Sequence, residues 1–373
     1  MSTRSVISPP SPASPALAPV RVLVCDDSAF MRTALTRMIE SDPGLKVIAT
    51  AQNGVEALEQ AALLDPDVLT LDIEMPKLDG LSVLRRLMAE NPRPVIMVSS
   101  LSREGAEATL EAFDLGAFEC IPKQLSYASM DILKIRDQLV AKVRAAASAA
   151  YLRKPRKQSS APHLEMPPPA PVSSWAGKPP EVVAIGSSTG GPRALQSILP
   201  ELPGDFSAGI LVVQHMPPGF TAPFAARLNS MSRLQVREAV DGDWIEPGTA
   251  LLAPAGKQMA AVRKTLTRFA VRVSDEPRDT LHIPSVDVMM SSVADAYGDD
   301  AMGVILTGMG SDGARGMLRI SEEGGYTLGQ DEATCAVYGM PRSCAENGSL
   351  KRVLPLPQIA SEILAASRTP AKR

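Results

Sequence analysis

The residues best able to do chemistry in this chain fall into two groups. In the second half, Gly186-Ser187-Ser188-Thr189-Gly190-Gly191 follows the apolar run VVAI. Gly186, Ser188 and Gly190 have the G-x-S-x-G spacing of a strand–turn–helix corner, which lifts a serine hydroxyl above a sheet. Backbone N–H groups where the helix starts, at Thr189 and Gly190, could stabilise an oxyanion. A Gly-rich turn of this kind could equally cradle a phosphate, and the motif alone does not choose. A nucleophilic serine needs a base, and the chain offers His163, His215 and His282. His163 lies among prolines and cannot be held rigidly, and His282 sits in a loop before PSVDVMM. His215 ends the run ILVVQH, at the sheet edge where Ser188 is expected, and is the better base. An acid should orient the imidazole. Asp312, in the glycine-rich LTGMGSDGARG, is a candidate, although an aspartate before glycine also fits a plain turn. Asp287 and Asp331 compete with it.

The first half carries carboxylates instead. Asp26 and Asp27 close the run RVLVC, and Asp72 closes DVLTLD. If these runs are neighbouring parallel strands, three carboxylates converge and repel one another by several kcal/mol unless a cation joins them. Oxygen-only ligands select a hard ion such as Mg²⁺, which also accepts phosphate oxygens. Ser99 and Lys123 end two further apolar runs, and their hydroxyl and ammonium could hold the remaining oxygens of a phosphoryl group. Asp79, before Gly80, reads as a turn and helix cap.

The elements that must position these groups are legible as periodicity. From residue 21, apolar runs alternate with helical patterns five times, closing with a long helix near 129–148. Strands apolar throughout, each followed by a helix, require right-handed crossovers and a parallel sheet covered on both faces. This predicts a flavodoxin-like, doubly wound domain over 21–148, after a disordered tail over 1–20. Residues 149–180 are rich in proline and carry a short basic run (Arg153, Lys154, Arg156, Lys157), which predicts a linker. A second doubly wound α/β domain is predicted over 181–366, with a tail over 367–373. TLTRFAVRVS alternates and suggests an antiparallel edge hairpin.

The 373 residues suit two medium domains, and 45% hydrophobic content suffices for two cores. A net charge of −3 gives no sign of a nucleic-acid binder. No apolar run is long enough to span a bilayer, prolines break the start as a signal peptide, and Cys25, Cys120, Cys335 and Cys344 lack metal spacing. A cytoplasmic protein is expected.

Residues 21–145 resemble the response-regulator receiver domain. The resemblance implies that Asp72 accepts a phosphoryl group from the phosphohistidine of a sensor kinase. It further implies that Asp26, Asp27 and Asp72, with the carbonyl of Glu74, bind Mg²⁺, and that Ser99 and Lys123 sense the phosphoryl group. Receivers usually carry an aromatic switch three residues before the lysine; here Cys120 stands there. GSSTGGP, VVQHMPPGFTAPFAARLN, LLAPAG, PSVDVMMSS, LTGMGSDGARGM and QDEATCAVYGMP together resemble the catalytic domain of the chemotaxis methylesterases. That resemblance implies Ser188 as nucleophile, His215 as general base and Asp312 as orienting acid, with the backbone near Met309 close to the oxyanion. It implies hydrolysis of glutamate methyl esters, and deamidation of glutamines, on chemoreceptors, with a chemotaxis histidine kinase as phosphoryl donor. No cofactor is implied in the esterase domain. Lys257-Gln258 and Ile283 depart from the family pattern at positions that could touch substrate. The rivals are the same chemistry on another methylated signalling protein, and a non-catalytic phosphate sink.

Overall fold

The structure, a computed structural model, describes residues 18–100, 102–123, 129–148 and 177–368. Residues 1–17 of the expected tail, 149–176 of the expected linker with the basic run and His163, and 369–373 lie outside the described residues.

In the N-terminal domain the apolar runs become β1 (Val20–Cys25), β2 (Leu45–Ala51), β3 (Val68–Asp72), β4 (Val95–Ser99) and β5 (Glu119–Pro122). Between them lie α1 (Ala29–Ile39), α2 (Gly54–Leu64), α3 (Gly80–Glu90) and α4 (Arg103–Asp114), and α5 (Ser129–Ser148) closes the domain. Local chemistry starts each of the first four helices. The side chains of Ser28, Asn53, Asp79 and Ser102 accept N–H groups of the first turn, which satisfies donors that the helix itself leaves orphaned. The strands pair in parallel in the order β2-β1-β3-β4-β5, as a flavodoxin-like fold requires. Every residue of β3 and β4 is buried, as expected of strands covered by helices on both faces.

The C-terminal domain opens with β6 (Val182–Ser187), α6 (Gly191–Ile198), β7 (Gly209–Gln214), α7 (Thr221–Met231), β8 (Gln235–Glu238) and β9 (Thr249–Leu252). After the hairpin β10 (Gln258–Arg263) and β11 (Phe269–Ser274) come α8 (Val286–Tyr297), β12 (Ala301–Ile305), α9 (Ala314–Glu322), β13 (Tyr326–Gln330), α10 (Met340–Glu346), β14 (Arg352–Leu354) and α11 (Leu356–Ala366). Seven strands form one parallel sheet, β14-β13-β12-β6-β7-β9-β8. The chain runs outward from β6 on one side, then returns to build the other, so strand order reverses at β6. Ligands of open α/β sheets bind outside the strand carboxyl ends at such a reversal. Val182, Val183, Ala184 and Ile185 are 0% exposed, each valine or isoleucine side chain contributing about 1.5–3 kcal/mol by burial. The alternating segment TLTRFAVRVS supplies only the turn and second strand of its hairpin, whose first strand is QMAAVR. The hairpin stands apart from the main sheet and is tied to α8 by the Ala261 N–H on Ser292 Oγ (2.8 Å) and Arg263 on the Ala296 carbonyl (2.8 Å).

The domains meet where α4 faces α6 and α7. Asp114, the last residue of α4, accepts the Gln196 side-chain amide (2.7 Å) and pairs with Arg227 of α7. A groove of about 880 Å³ runs between α4 and α7. No helix among the described residues is long and apolar enough to cross a membrane.

Candidate active site and acidic pocket

Ser187 and Gln214 are register partners on β6 and β7, so Ser188 and His215 are the first residues beyond adjacent strand ends. The His215 N–H donates to the Ser187 carbonyl (3.1 Å), and the Ser188 N–H to the Thr307 carbonyl beyond β12 (3.1 Å). Gln214, buried at the end of β7, ties the corner together. Its Oε1 accepts the Ser187 hydroxyl (2.7 Å), and its amide donates to the carbonyls of Ser188 (2.9 Å) and His215 (3.0 Å). Two glycines make the close packing possible. Gly190 has φ +79°, and a Cβ on Gly308 would lie 2.8 Å from that of Ser188, so no larger residue fits either place.

Asp312 Oδ2 lies 2.9 Å from His215 Nε2. A carboxylate can only accept, so Nε2 carries the proton and Nδ1 holds the lone pair. That Nδ1 is buried and without a hydrogen-bond partner, the nitrogen free to take a proton. Among the described residues no hydrogen bond joins it to Ser188, as is common before substrate tightens a site. The Asp312 carboxylate also accepts the N–H groups of Val286 (2.8 Å) and Asp287 (2.9 Å) and the hydroxyl of Ser285 (2.9 Å), all at the start of α8. Burial alone would raise its pKa. The His215 bond and charge and these helix N–H groups outweigh that and bring it down to about 2.

Of the competing acids, Asp287 faces the other way and accepts the N–H groups of Gly313, Arg315 and Gly316 at the start of α9. Asp331 caps a turn through Thr334. The N–H groups of Thr189, Gly190 and Met309 donate to no protein acceptor among the described residues. Thr189 and Gly190 follow Ser188 directly, and Met309 follows Gly308, which packs on Ser188. Sequence reasoning missed Gln214, Thr307 and Gln330. Thr307 joins the Thr189 carbonyl to the Val337 N–H and is itself held by Gln330 Oε1. The available signal was a glutamine closing an uncharged strand, in ILVVQ and YTLGQ. Gln258 proves to be a buried brace between the Ser285 N–H and Thr280, and Lys257 pairs with Asp275 at the surface.

In the N-terminal domain, Asp26 and Asp72 are 0% and 1% exposed. Oxygens of Asp26, Asp27 and Asp72 lie within 4.8 Å of one another. Lys123 Nζ is 2.5 Å from Asp72 Oδ2 and 3.5 Å from Asp26 Oδ2. Burial lifts the Asp72 carboxyl to about 6, with the Lys123 bond opposing it and the Asp26 charge adding to it. Asp26 is raised chiefly by burial, and its Oδ2 has no hydrogen-bond partner. A buried carboxylate oxygen with no hydrogen bond, near only one ammonium and beside two more carboxylates, fits a hard divalent cation. The Glu74 N–H donates to Asp72 Oδ1 (3.2 Å), which keeps that residue at the pocket. Ser99 is not turned to the carboxylates, since its hydroxyl donates to the Gly105 carbonyl on α4 (3.0 Å). Thr109 shares that carbonyl and contacts the Cys120 thiol (3.5 Å), which is buried.

Residues 22–133 match the family model of the response regulator receiver domain, and residues 183–363 that of the CheB methylesterase. A protein-glutamate methylesterase/protein-glutamine glutaminase 1 from Oleidesulfovibrio alaskensis is 48% identical over 366 residues, covering 93% of this chain and 99% of its own. The protein of the same name from Geobacter sulfurreducens is 47% identical over 350 residues, covering 92% and 96%. A crystal structure of the Thermotoga maritima CheB methylesterase catalytic domain is 40% identical, covering 50% of this chain and 97% of that one with a TM-score of 0.48. With relatives near half identity matched over more than nine-tenths of both chains, the chain belongs to the family of protein-glutamate methylesterases/protein-glutamine glutaminases that carry a receiver domain.

Proposed function

We propose that Ser188, His215 and Asp312 form the catalytic triad of a phosphorylation-controlled hydrolase. It removes methyl esters from glutamates on the cytoplasmic parts of chemoreceptors and deamidates glutamines there. The observation that carries this reading is the His215–Asp312 hydrogen bond, which leaves Nδ1 unpaired on the strand end next to Ser188.

His215 Nδ1 takes the hydroxyl proton as Ser188 Oγ bonds to the ester carbon, and the carbonyl oxygen becomes an oxyanion facing the N–H groups of Thr189, Gly190 and Met309. Collapse breaks the bond to the methoxy group, which leaves as methanol with the proton from His215; from an amide, ammonia leaves. A water, deprotonated by the same nitrogen, then frees the glutamate and restores Ser188.

Control begins at Asp72, whose carboxylate attacks the phosphorus of a kinase phosphohistidine and breaks the P–N bond. Asp26, Asp27 and Asp72, with the Glu74 carbonyl, would hold Mg²⁺, which when bound would supply positive charge to offset the negative charge gathered during phosphoryl transfer. Lys123 pairs with the phosphoryl group, and Ser99 can turn to it only by leaving Gly105 on α4. That helix ends in Asp114 against Gln196 and Arg227, which supports α4 as the element through which phosphorylation loosens the receiver from the hydrolase. The test is methanol release from methylated receptor membranes, with and without acetyl phosphate. Release should rise with the phosphoryl donor and vanish in Ser188→Ala, whereas a Ser188→Ala protein that still releases methanol would refute the triad.

A further inference from the structure

The third histidine of the chain, His282, is left without a part in this chemistry, yet its ring lies on that of His215. The two centroids are 4.1 Å apart and the planes 22° from parallel. The segment carrying it is built to hold it there. Thr280 Oγ1 donates to the His282 carbonyl (2.8 Å), and buried Gln258 donates to Thr280 Oγ1 (2.8 Å). Gly256 donates to the Ile283 carbonyl on the other side (3.1 Å). Gln258 also accepts the Ser285 N–H (2.9 Å), so one side chain ties the His282 loop to the helix end that holds Asp312. The His282 ring makes no hydrogen bond to protein among the described residues; the stack is its contact.

We infer that His282 is a positioning residue for the hydrolase reaction: its neutral ring fixes the plane of the His215 imidazole and offers a π face to the imidazolium that forms there. The inference rests on the triad proposed above. Burial, and next the charge of His215, lower the His282 pKa to about 4, with Asp312 opposing, so the ring stays uncharged while His215 gains its proton. A flat, electron-rich face favours an adjacent cation. Because that cation exists only as the reaction proceeds, the gain belongs to the transition state and appears in kcat.

The experiment uses the full chain activated with acetyl phosphate on methylated receptor membranes, comparing His282→Ala, His282→Phe and Ser188→Ala. His282→Ala should lower kcat about tenfold with KM nearly unchanged, and His282→Phe, which keeps a neutral ring at the site, should restore most of the loss. With three histidines in the chain, proton NMR reads the stack directly. The ring-current displacement of the His215 Cε1 proton should vanish in His282→Ala and persist in His282→Phe. Wild-type kcat in His282→Ala overturns the inference, as does equal loss in both His282 variants while the ring-current displacement persists in His282→Phe. Activity in Ser188→Ala would instead sink the triad itself, which keeps the two failures distinct.

Discussion

Asp287 and Asp312 cap one another's helices. The Asp312 carboxylate accepts two N–H groups at the start of α8, while Asp287, in the first turn of α8, accepts three at the start of α9, just beyond Asp312. The acid beside His215 is thus held by a reciprocal pair of helix caps. Asp287→Ala would leave three N–H groups without an acceptor, at a cost of about 2–4 kcal/mol, and would loosen Asp312. Urea unfolding and steady-state kinetics should show lower stability together with lower kcat. Asp287→Asn, which keeps one acceptor oxygen, should fall between.

Acid should destabilise the C-terminal domain in two steps. A histidine held at about 4 when folded takes up a proton near 6.5 when unfolded. The unfolded chain therefore binds more protons in that window, and stability falls as pH drops through it, by no more than about 3 kcal/mol. Asp312, at about 2 when folded, adds a loss between about 4 and 2. Urea midpoints for His282→Phe should vary less between pH 7 and 4.5 than those of the parent; an identical slope would contradict the first step.

Asp72 works in the opposite sense. With the folded carboxyl at about 6 against an unfolded value near 4, the metal-free receiver is favoured by acid and loses that advantage as pH rises through about 6. Mg²⁺ requires ionised carboxylates. Its stabilising shift in Tm should therefore be small at pH 5 and larger at pH 8, and lost in Asp72→Ala.

Gln214→Leu should keep the volume at the end of β7 while leaving the His215 carbonyl and the Ser187 hydroxyl unpaired and the Ser188 carbonyl held by the Gly191 N–H alone. A loss of about 2 kcal/mol in stability is expected, and a fall in kcat larger than any rise in KM, because the strand ends bearing Ser188 and His215 are no longer tied.

Asp114→Ala removes the acceptor shared by Gln196 and Arg227. Such partly exposed pairs are worth about 1 kcal/mol, so methanol release without a phosphoryl donor should rise about fivefold, with the acetyl phosphate response correspondingly smaller.

Both sheets were legible because their strands are apolar throughout, and wholly buried strands between helices leave few topologies. The short edge strands β8 and β14 were not, since three or four residues of mixed character carry no period. Strand-end chemistry was visible in Asp26, Asp72, Ser188 and His215 because residue type and position coincide there. Long-range facts stayed hidden. Nothing in PSVDVMM tells that Asp287 caps a helix beginning at Ala314, or that His282 stacks on a ring 67 positions earlier. Nor does the sequence tell that Lys257-Gln258 divides into a surface ion pair and a buried brace.

One consequence follows from the two ends of α4. Its first turn presents the Gly105 carbonyl to Ser99, its last residue grips the hydrolase domain, and the twelve-residue helix that contains both forms a stiff rod of about 18 Å. Linkage through such a rod is reciprocal. If a phosphoryl group on Asp72 weakens the grip, the grip must disfavour that phosphoryl group by the same factor, so a receiver freed from its hydrolase should hold phosphate at lower donor concentrations than the intact chain.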